Sequence, residues 1–389
     1  KGGSSVNWSD GNAAIFNGGE VILDKNAAAS ELSFNGDASV MAGEASDTTP
    51  VLTTPKIEVA EGKTATVSAE LSSGIEKTGL GTLELSKSRE NKTTTVSEGT
   101  LKISEGVAIG TLRLGTDKSK PVTFDYDGQT LNANPTTYLG AGMDVALING
   151  VYCNDGTITF SNDTFPYTLT VGENSRVKAS DRFNFNTSGE ATINIDGGIL
   201  QSKANNNNWI MQASQKGVLN INVTDGGLLE FGGETYMLTC RDGEDKYESP
   251  ELHVSVADSI VRVKNGKSLR LGRDSNTKSS AKPIFSLAAT NSVFDIGYGF
   301  YLGNDKTGLS PEGSYTADFQ NCVITAFQFC VYSDRPVNKA VLNGTRLAFA
   351  RENGTLQQSQ SDAEEERFLI GEDGLTIDTQ AYSVNLDAN

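Results

Sequence analysis

Short runs in which polar and aliphatic residues alternate recur along most of the chain, separated by glycine, asparagine or aspartate. Thr82-Leu83-Glu84-Leu85, Thr95-Val96 and Thr100-Leu101-Lys102-Ile103 each place their apolar side chains on one side of an extended backbone. That period of two predicts half-buried strands, each about four or five residues long. Gly79, Gly81, Gly99 and Gly110 stand at their edges, where tight turns are needed.

A second series runs down the middle of the chain. A turn residue and a small partner precede aliphatic alternation at Asn174–Ala179, Gly197–Ser202, Gly226–Phe231, Asp258–Val263, Asn291–Ile296, Asn321–Ala326 and Gly344–Phe349, at intervals of 23 to 33 residues. Another alternating run comes before most of these units, as at Ile193–Ile195, Leu219–Val223, Val254–Val256, Phe285–Leu287 and Ala317–Phe319, and a third follows several of them. Strands also end repeatedly in glycine, a variable residue and aspartate, at Gly115, Gly272, Gly303 and Gly371. Glycine there permits positive φ and the aspartate can accept bonds from turn amides, so this is a turn device before it is a catalytic one.

Two or three short strands per unit, with one turn at a nearly fixed phase, match the coil of a parallel β-helix better than a sandwich or a propeller. Irregular coil lengths are natural in a solenoid, where insertions loop outward. The prediction is one all-β, right-handed parallel β-helix (solenoid). Its expected parts are an irregular or capping segment over residues 1–50, β-strand repeats over 51–150, irregular coils over 151–367 and the start of a further repeat over 368–389. Val, Ile, Leu and Phe would point inward; Glu84, Lys102, Arg113, Glu230 and Arg262 would carry charge outward.

Composition agrees with many strands and almost no helix: 41 glycines, 9 prolines, 37% hydrophobic and 7% aromatic residues in 389. With 32 basic and 49 acidic residues the net charge is −17, which repels nucleic acid and anionic bilayers. No run of about 18 apolar residues occurs, so no membrane insertion by this segment is expected. Cys153, Cys240, Cys322 and Cys330 are too few and too scattered for a disulfide scaffold, and none forms a CxxC pair. Buried thiols are expected, with a Cys322–Cys330 bond open only if their strands lie side by side. The opening at Lys1, with neither Met nor an apolar leader, reads as that of a processed piece of a longer chain.

Lys77–Ile103, "KTGLGTLELSKSRENKTTTVSEGTLKI", resembles the autotransporter-associated β-strand repeat of bacterial autotransporter passengers and of large surface proteins from Verrucomicrobia, Lentisphaerae and Planctomycetes relatives. The resemblance rests on Lys77-Thr78-Gly79, Gly81–Leu85, Thr95-Val96 and Gly99-Thr100-Leu101. Trp8–Gly19 is similar to the segment that often precedes such repeats, and the stretch from Gly371 to the lead-in of another copy. The resemblance implies secretion and display outside the bacterial outer membrane. It says little of activity, and residues 150–350 depart from the pattern.

Chemistry is sparse by comparison. The Asp-Asp and Gly-His-Gly motifs of polygalacturonase-like β-helix enzymes are absent, and the one histidine, His253, falls in an alternating run where a solvent-facing role is expected. No catalytic residue is assigned. A lyase could use a basic residue as its base, and Ser175–Arg182 supplies Arg176, Lys178 and Arg182, which alternation would make neighbours on one face. Trp209 after a run of asparagines, and Tyr298 and Tyr301 in "GYGFYLG", are candidate sugar-stacking rings. No cofactor is required. Calcium is the ion that so many oxygen donors would suit, with Cys153–Asp163 and Arg241–Glu251 rich in carboxylates, but neither has EF-hand spacing and the metal site is unknown.

The function expected is that of a non-enzymatic surface stalk or adhesin displaying loops to glycans, host matrix or other cells. A β-helix polysaccharide lyase or glycoside hydrolase, and a surface-layer or fibre component that self-associates end to end, are the alternatives.

Overall fold

The computed structural model describes residues 9–43, 49–115, 120–132, 144–162, 167–187, 189–203, 205–212, 217–240, 250–264, 266–274, 283–303, 314–331, 338–358 and 368–388. It is all-β, with 64% strand and no helix among the described residues, and its long parallel sheets stack as in a β-helix or solenoid. The chain forms two compact units, one of residues 1–131 and 137–151, the other of 132–136 and 152–389.

In the first unit, seven strands from Gly19–Leu23 to Asp144–Ile148 form one sheet, six from Ala13–Phe16 to Ile109–Leu114 a second, and three two- or three-residue strands a third. The strand pairs pair in parallel, each with the equivalent strand one turn of chain away: Thr64, Thr82, Thr100 and Thr123 lie in register on one outward column. The predicted strands Thr82–Leu85 and Gly99–Ile103 are present, their apolar residues inward. Within residues 1–50, where the sequence predicts an irregular or capping segment, Gly19–Leu23 pairs in register with Ala38–Ala42 and Ala13–Phe16 with Glu31–Phe34.

Among its described residues this unit buries two cations. Lys77 lies on the inward side of its strand with Ile75 and is fully buried. Its ammonium donates to the carbonyls of Gly81 at 2.6 Å, Glu98 at 2.8 Å and Gly79. The glycines are what leave room for it: a Cβ at Gly99, where φ is +73°, would sit 2.6 Å from Nζ and 2.4 Å from the Gly79 oxygen. Arg89 is also buried and donates to the Ser73 carbonyl at 2.8 Å and the Thr94 hydroxyl at 3.3 Å.

The second unit has three strands per coil. Its first sheet runs from Tyr167–Val171 to Phe368–Ile370, its second continues from Arg176–Ala179 to Leu375–Asp378, and its third from Ile158–Asn162 to Val384–Ala388. Leu169, Ile193, Ile221, Val254, Leu287 and Ala317 form one inward column of the first sheet. Phe294, Phe300, Phe319 and Phe329 fill the interior between sheets, in edge-on and stacked contacts of 5.1–6.2 Å between ring centres.

Between first and second sheets every coil turns at one left-handed residue. Asn174, Gly197, Gly226, Asp258, Asn291, Asn321 and Gly344, the seven turn residues of the sequence repeat, all have φ between +51° and +80°. Only glycine and the short amides and acids reach that region cheaply, which is why the sequence restricts itself to them. The residue after each turn is small and buried, and it links coils: the Ser259 amide donates to Ser292 Oγ at 3.2 Å and the Cys322 amide to Thr345 Oγ1 at 3.4 Å. Asn291→Ala is expected to lose about 1 kcal/mol in urea unfolding and Asn291→Gly almost nothing, because only alanine strains at positive φ.

Cys322 and Cys330 are both buried; Cys322 sits at the corner before the second sheet and Cys330 in a strand of the third, so they are not side by side. Burial pushes the Cys330 thiol up to about 12, against the pull of Arg270. The Cys240 side chain lies outside the described residues.

Candidate functional site

A parallel ladder consumes the backbone N–H and C=O groups of every interior strand, so any chemistry must come from outward side chains and corners. The outward column of the first sheet in unit 2 reads Thr168, Thr192, Asn220, His253, Ser286, Thr316 and Lys339. The neighbouring column bonds along the axis, Asn222 donating to Asn194 at 2.9 Å and Asn194 to Thr170 at 3.3 Å.

His253 faces outward and is about one-third exposed, as its alternation predicts. Its Nδ1 lies 2.7 Å from Ser286 Oγ and its Nε2 3.3 Å from Glu251 Oε2. Hydroxyl, imidazole and carboxylate are thus in the order of an acyl-transfer triad. The fourth part is missing from the strand itself: Ile284–Thr290 is paired on both sides, so its amides serve the ladder and none is turned toward a developing oxyanion.

Charged residues on the second sheet form a ladder of alternating sign. Arg262 bonds Asp295 at 3.0 Å on one side and Glu230 at 3.4 Å on the other, and Gln201 donates to the second Glu230 oxygen. Glu230, expected to stand out in solvent, is therefore 8% exposed beneath these partners. On the third sheet Arg270 bonds Glu234 at 2.9 Å, a pair one coil and 36 residues apart that no local pattern reveals.

The six candidate residues part company. Trp209, Tyr236, Arg270 and Tyr301 lie in register on the outward side of the third sheet. The half-buried Trp209 stacks face to face on Tyr236, 4.5 Å between centres. Tyr301 is 4% exposed, with the Arg270 guanidinium 4.3 Å above its ring and its hydroxyl bonded to Gln328. Its covered face cannot serve as the open sugar platform expected for it. Burial pushes its phenol up to about 12, with Arg270 pulling down.

Arg176 and Lys178 share the outward side of Arg176–Ala179, but the bend at Ser180–Asp181 carries Arg182 round to the start of the third sheet. The expectation that all three share one face is corrected by that corner; Arg182 lies 3.7 Å from Asp181 instead. Tyr298 is half-buried at the corner between second and third sheets, tilted against Phe327 at 5.2 Å.

Among the described residues no three or more His, Cys, Asp or Glu side chains gather as for a metal ion. Of the two carboxylate-rich stretches, residues 163 and 241–249 lie outside the described residues. Among the described residues no helix is long and apolar enough to cross a membrane. No family model, curated protein or solved structure matches the chain.

Proposed function

We propose that this chain is a display stalk, an exported segment of a bacterial surface protein whose coils hold outward positions and corner loops for binding glycans, host matrix or other cells. The coil is right-handed in this reading, since a strand that returns in parallel to its own sheet does so with that hand in nearly every known case. The observation that carries the reading is the axial self-pairing of the outward columns, in which Thr170, Asn194 and Asn222, or Glu230, Arg262 and Asp295, satisfy one another from coil to coil. A surface so closed on itself supplies stiffness and resistance to proteolysis and leaves recognition to corners. The resemblance of Lys77–Ile103 to the autotransporter-associated repeat supports export and a place outside the outer membrane.

The test is a glycan-array screen of the purified chain, with and without calcium, followed by mass spectrometry of each bound polysaccharide. Binding with the sugar intact is the expected result. Shortened or unsaturated products would replace this reading with that of a lyase or hydrolase on the same solenoid.

A further inference from the structure

Despite the net charge of −17, one corner of unit 2 collects cations. Backbone bonds from Lys203 to Ala179, Lys264 to Phe231, Gly297 to Val263, Phe327 to Tyr298 and Ala350 to Ala326 set Lys203, Gly232, Lys264, Gly297, Phe327 and Ala350 in order where the chain leaves the second sheet. Lys203 and Lys264 are exposed and two coils apart. Only glycine lies between them, and the Lys264 side chain crosses back over it to donate from Nζ to the Lys203 carbonyl at 3.1 Å. Lys178, half-buried on the adjoining sheet, reaches the Lys203 ammonium and holds it below the ordinary lysine range, with burial and Lys264 adding to the effect. Like charges are thus held together on an acidic protein, an arrangement that costs free energy until an anion relieves it. The carboxylate of the next column, Glu230, is already taken up by Arg262 and Gln201.

Farther along the same corner the half-buried rings of Tyr298 and Phe327 lie under the exposed Arg351, whose guanidinium carbon is 5.2 Å and 4.7 Å from their centres and which donates to the Gly297 carbonyl at 3.3 Å. From Lys203 to Arg351 the strip covers five coil steps, about 24 Å at the spacing of neighbouring strands.

We infer that this corner, with Lys178, Lys203, Lys264, Tyr298, Phe327 and Arg351, is the binding strip for an extended acidic polysaccharide. The charges form two groups, the Lys178, Lys203 and Lys264 ammoniums gathered at the Lys203 carbonyl and the Arg351 guanidinium at the Gly297 carbonyl, three coil steps or roughly 14 Å farther along. Two cationic groups so far apart suit an extended polysaccharide whose carboxylates or sulfates recur along its length, and fall far short of the one charge per about 1.7 Å of duplex DNA. The two rings offer sugars an apolar edge, while the guanidinium over their faces closes them to an intercalating base. The inference rests on the display reading and names the ligand class for it.

The experiment measures binding of the whole chain to polygalacturonate, to a sulfated glycosaminoglycan, to neutral dextran and to duplex DNA, at low and at physiological salt. Expected are binding of at least one acidic glycan, weakening with salt, no binding of dextran, and an affinity about tenfold lower in Lys203→Gln/Lys264→Gln/Arg351→Gln with an unchanged circular dichroism spectrum. An affinity unchanged in that variant overturns the strip, as does DNA binding as tightly as the acidic glycans. Retained binding of some other, neutral glycan would overturn the strip and leave the display reading standing; no glycan binding of any kind would overturn both.

Discussion

Truncating Phe300 to alanine is expected to cost about 3–5 kcal/mol of stability, the most of any single apolar truncation in unit 2. The ring is fully buried and touches three others, edge-on to Phe294 and Phe319 and stacked on Phe329. It bridges sheets as well as coils: Phe300 pairs in register with Leu269 before it and Phe329 after it, while Phe319 belongs to the first sheet. In a solenoid each coil rests only on its neighbours, so the loss should stay local. Hydrogen exchange should speed up first in Leu269–Asp274, Gly299–Leu302 and Gln328–Val331, with Tyr167–Val171 unchanged. Urea unfolding followed through Trp209 gives the magnitude. A loss under about 1 kcal/mol would mean that the surrounding phenylalanines close the cavity, and that the interior is less tightly packed than their contacts indicate.

The coil was readable from sequence because its limiting constraint is steric. A left-handed turn residue is least strained as glycine, asparagine or aspartate, and such a residue at Asn174 through Gly344 marks every coil of the second series. The glycine of the Gly-x-Asp recurrence behaves likewise at Gly115 and Gly303, with φ near +75° and +81°, but not at Gly371, which is absent from the left-handed set. Met211 and Leu238 were not readable. Both adopt φ near +58° inside strands of the third sheet, where the register runs from Ile210–Met237 to Gln212–Thr239. Nothing local marks a bulky residue for that region; both are about 1% exposed, so burial of the side chain offsets the strain. Candidate sites were less readable still, because a corner assembles residues 25 to 60 positions apart. Lys178 was visible as part of a basic strand, whereas Lys203 and Lys264 join it only once coil lengths are known. The burial of Tyr301 under Arg270 is hidden for the same reason: 31 residues separate two side chains that the register makes adjacent.

Lys77→Met is expected to destabilise unit 1 by about 2–4 kcal/mol, although it removes a buried charge. Two effects oppose each other. Burial pulls the Lys77 ammonium down to about 8 from an ordinary 10.5, with Glu98 pushing back, so the charge is costly where it sits. Methionine would relieve that cost and fill similar volume. It would also leave the carbonyls of Gly79, Gly81 and Glu98 without the donor that they share, inside a turn too tight for another side chain to enter. The Gly81 carbonyl keeps the Thr100 amide at 3.1 Å, but each orphaned buried acceptor costs about 1–3 kcal/mol, so the Gly79 and Glu98 carbonyls together outweigh the relief. The pH dependence has the opposite sign to that of a salt-bridged lysine. Between pH 8 and 10.5 the unfolded chain holds the Lys77 proton more often than the folded one does, so this residue's contribution raises stability as pH climbs through that window. Below pH 8 its penalty is present in full. An NMR titration should find one lysine with a midpoint near 8, and hydrogen exchange in Ile75–Thr78, Thr82–Leu85 and Gly99–Ile103 should accelerate in Lys77→Met. A variant as stable as the parent would show that those carbonyls find other donors, and the glycine-threonine-leucine repeat would then be a steric device alone rather than a cage built around a cation.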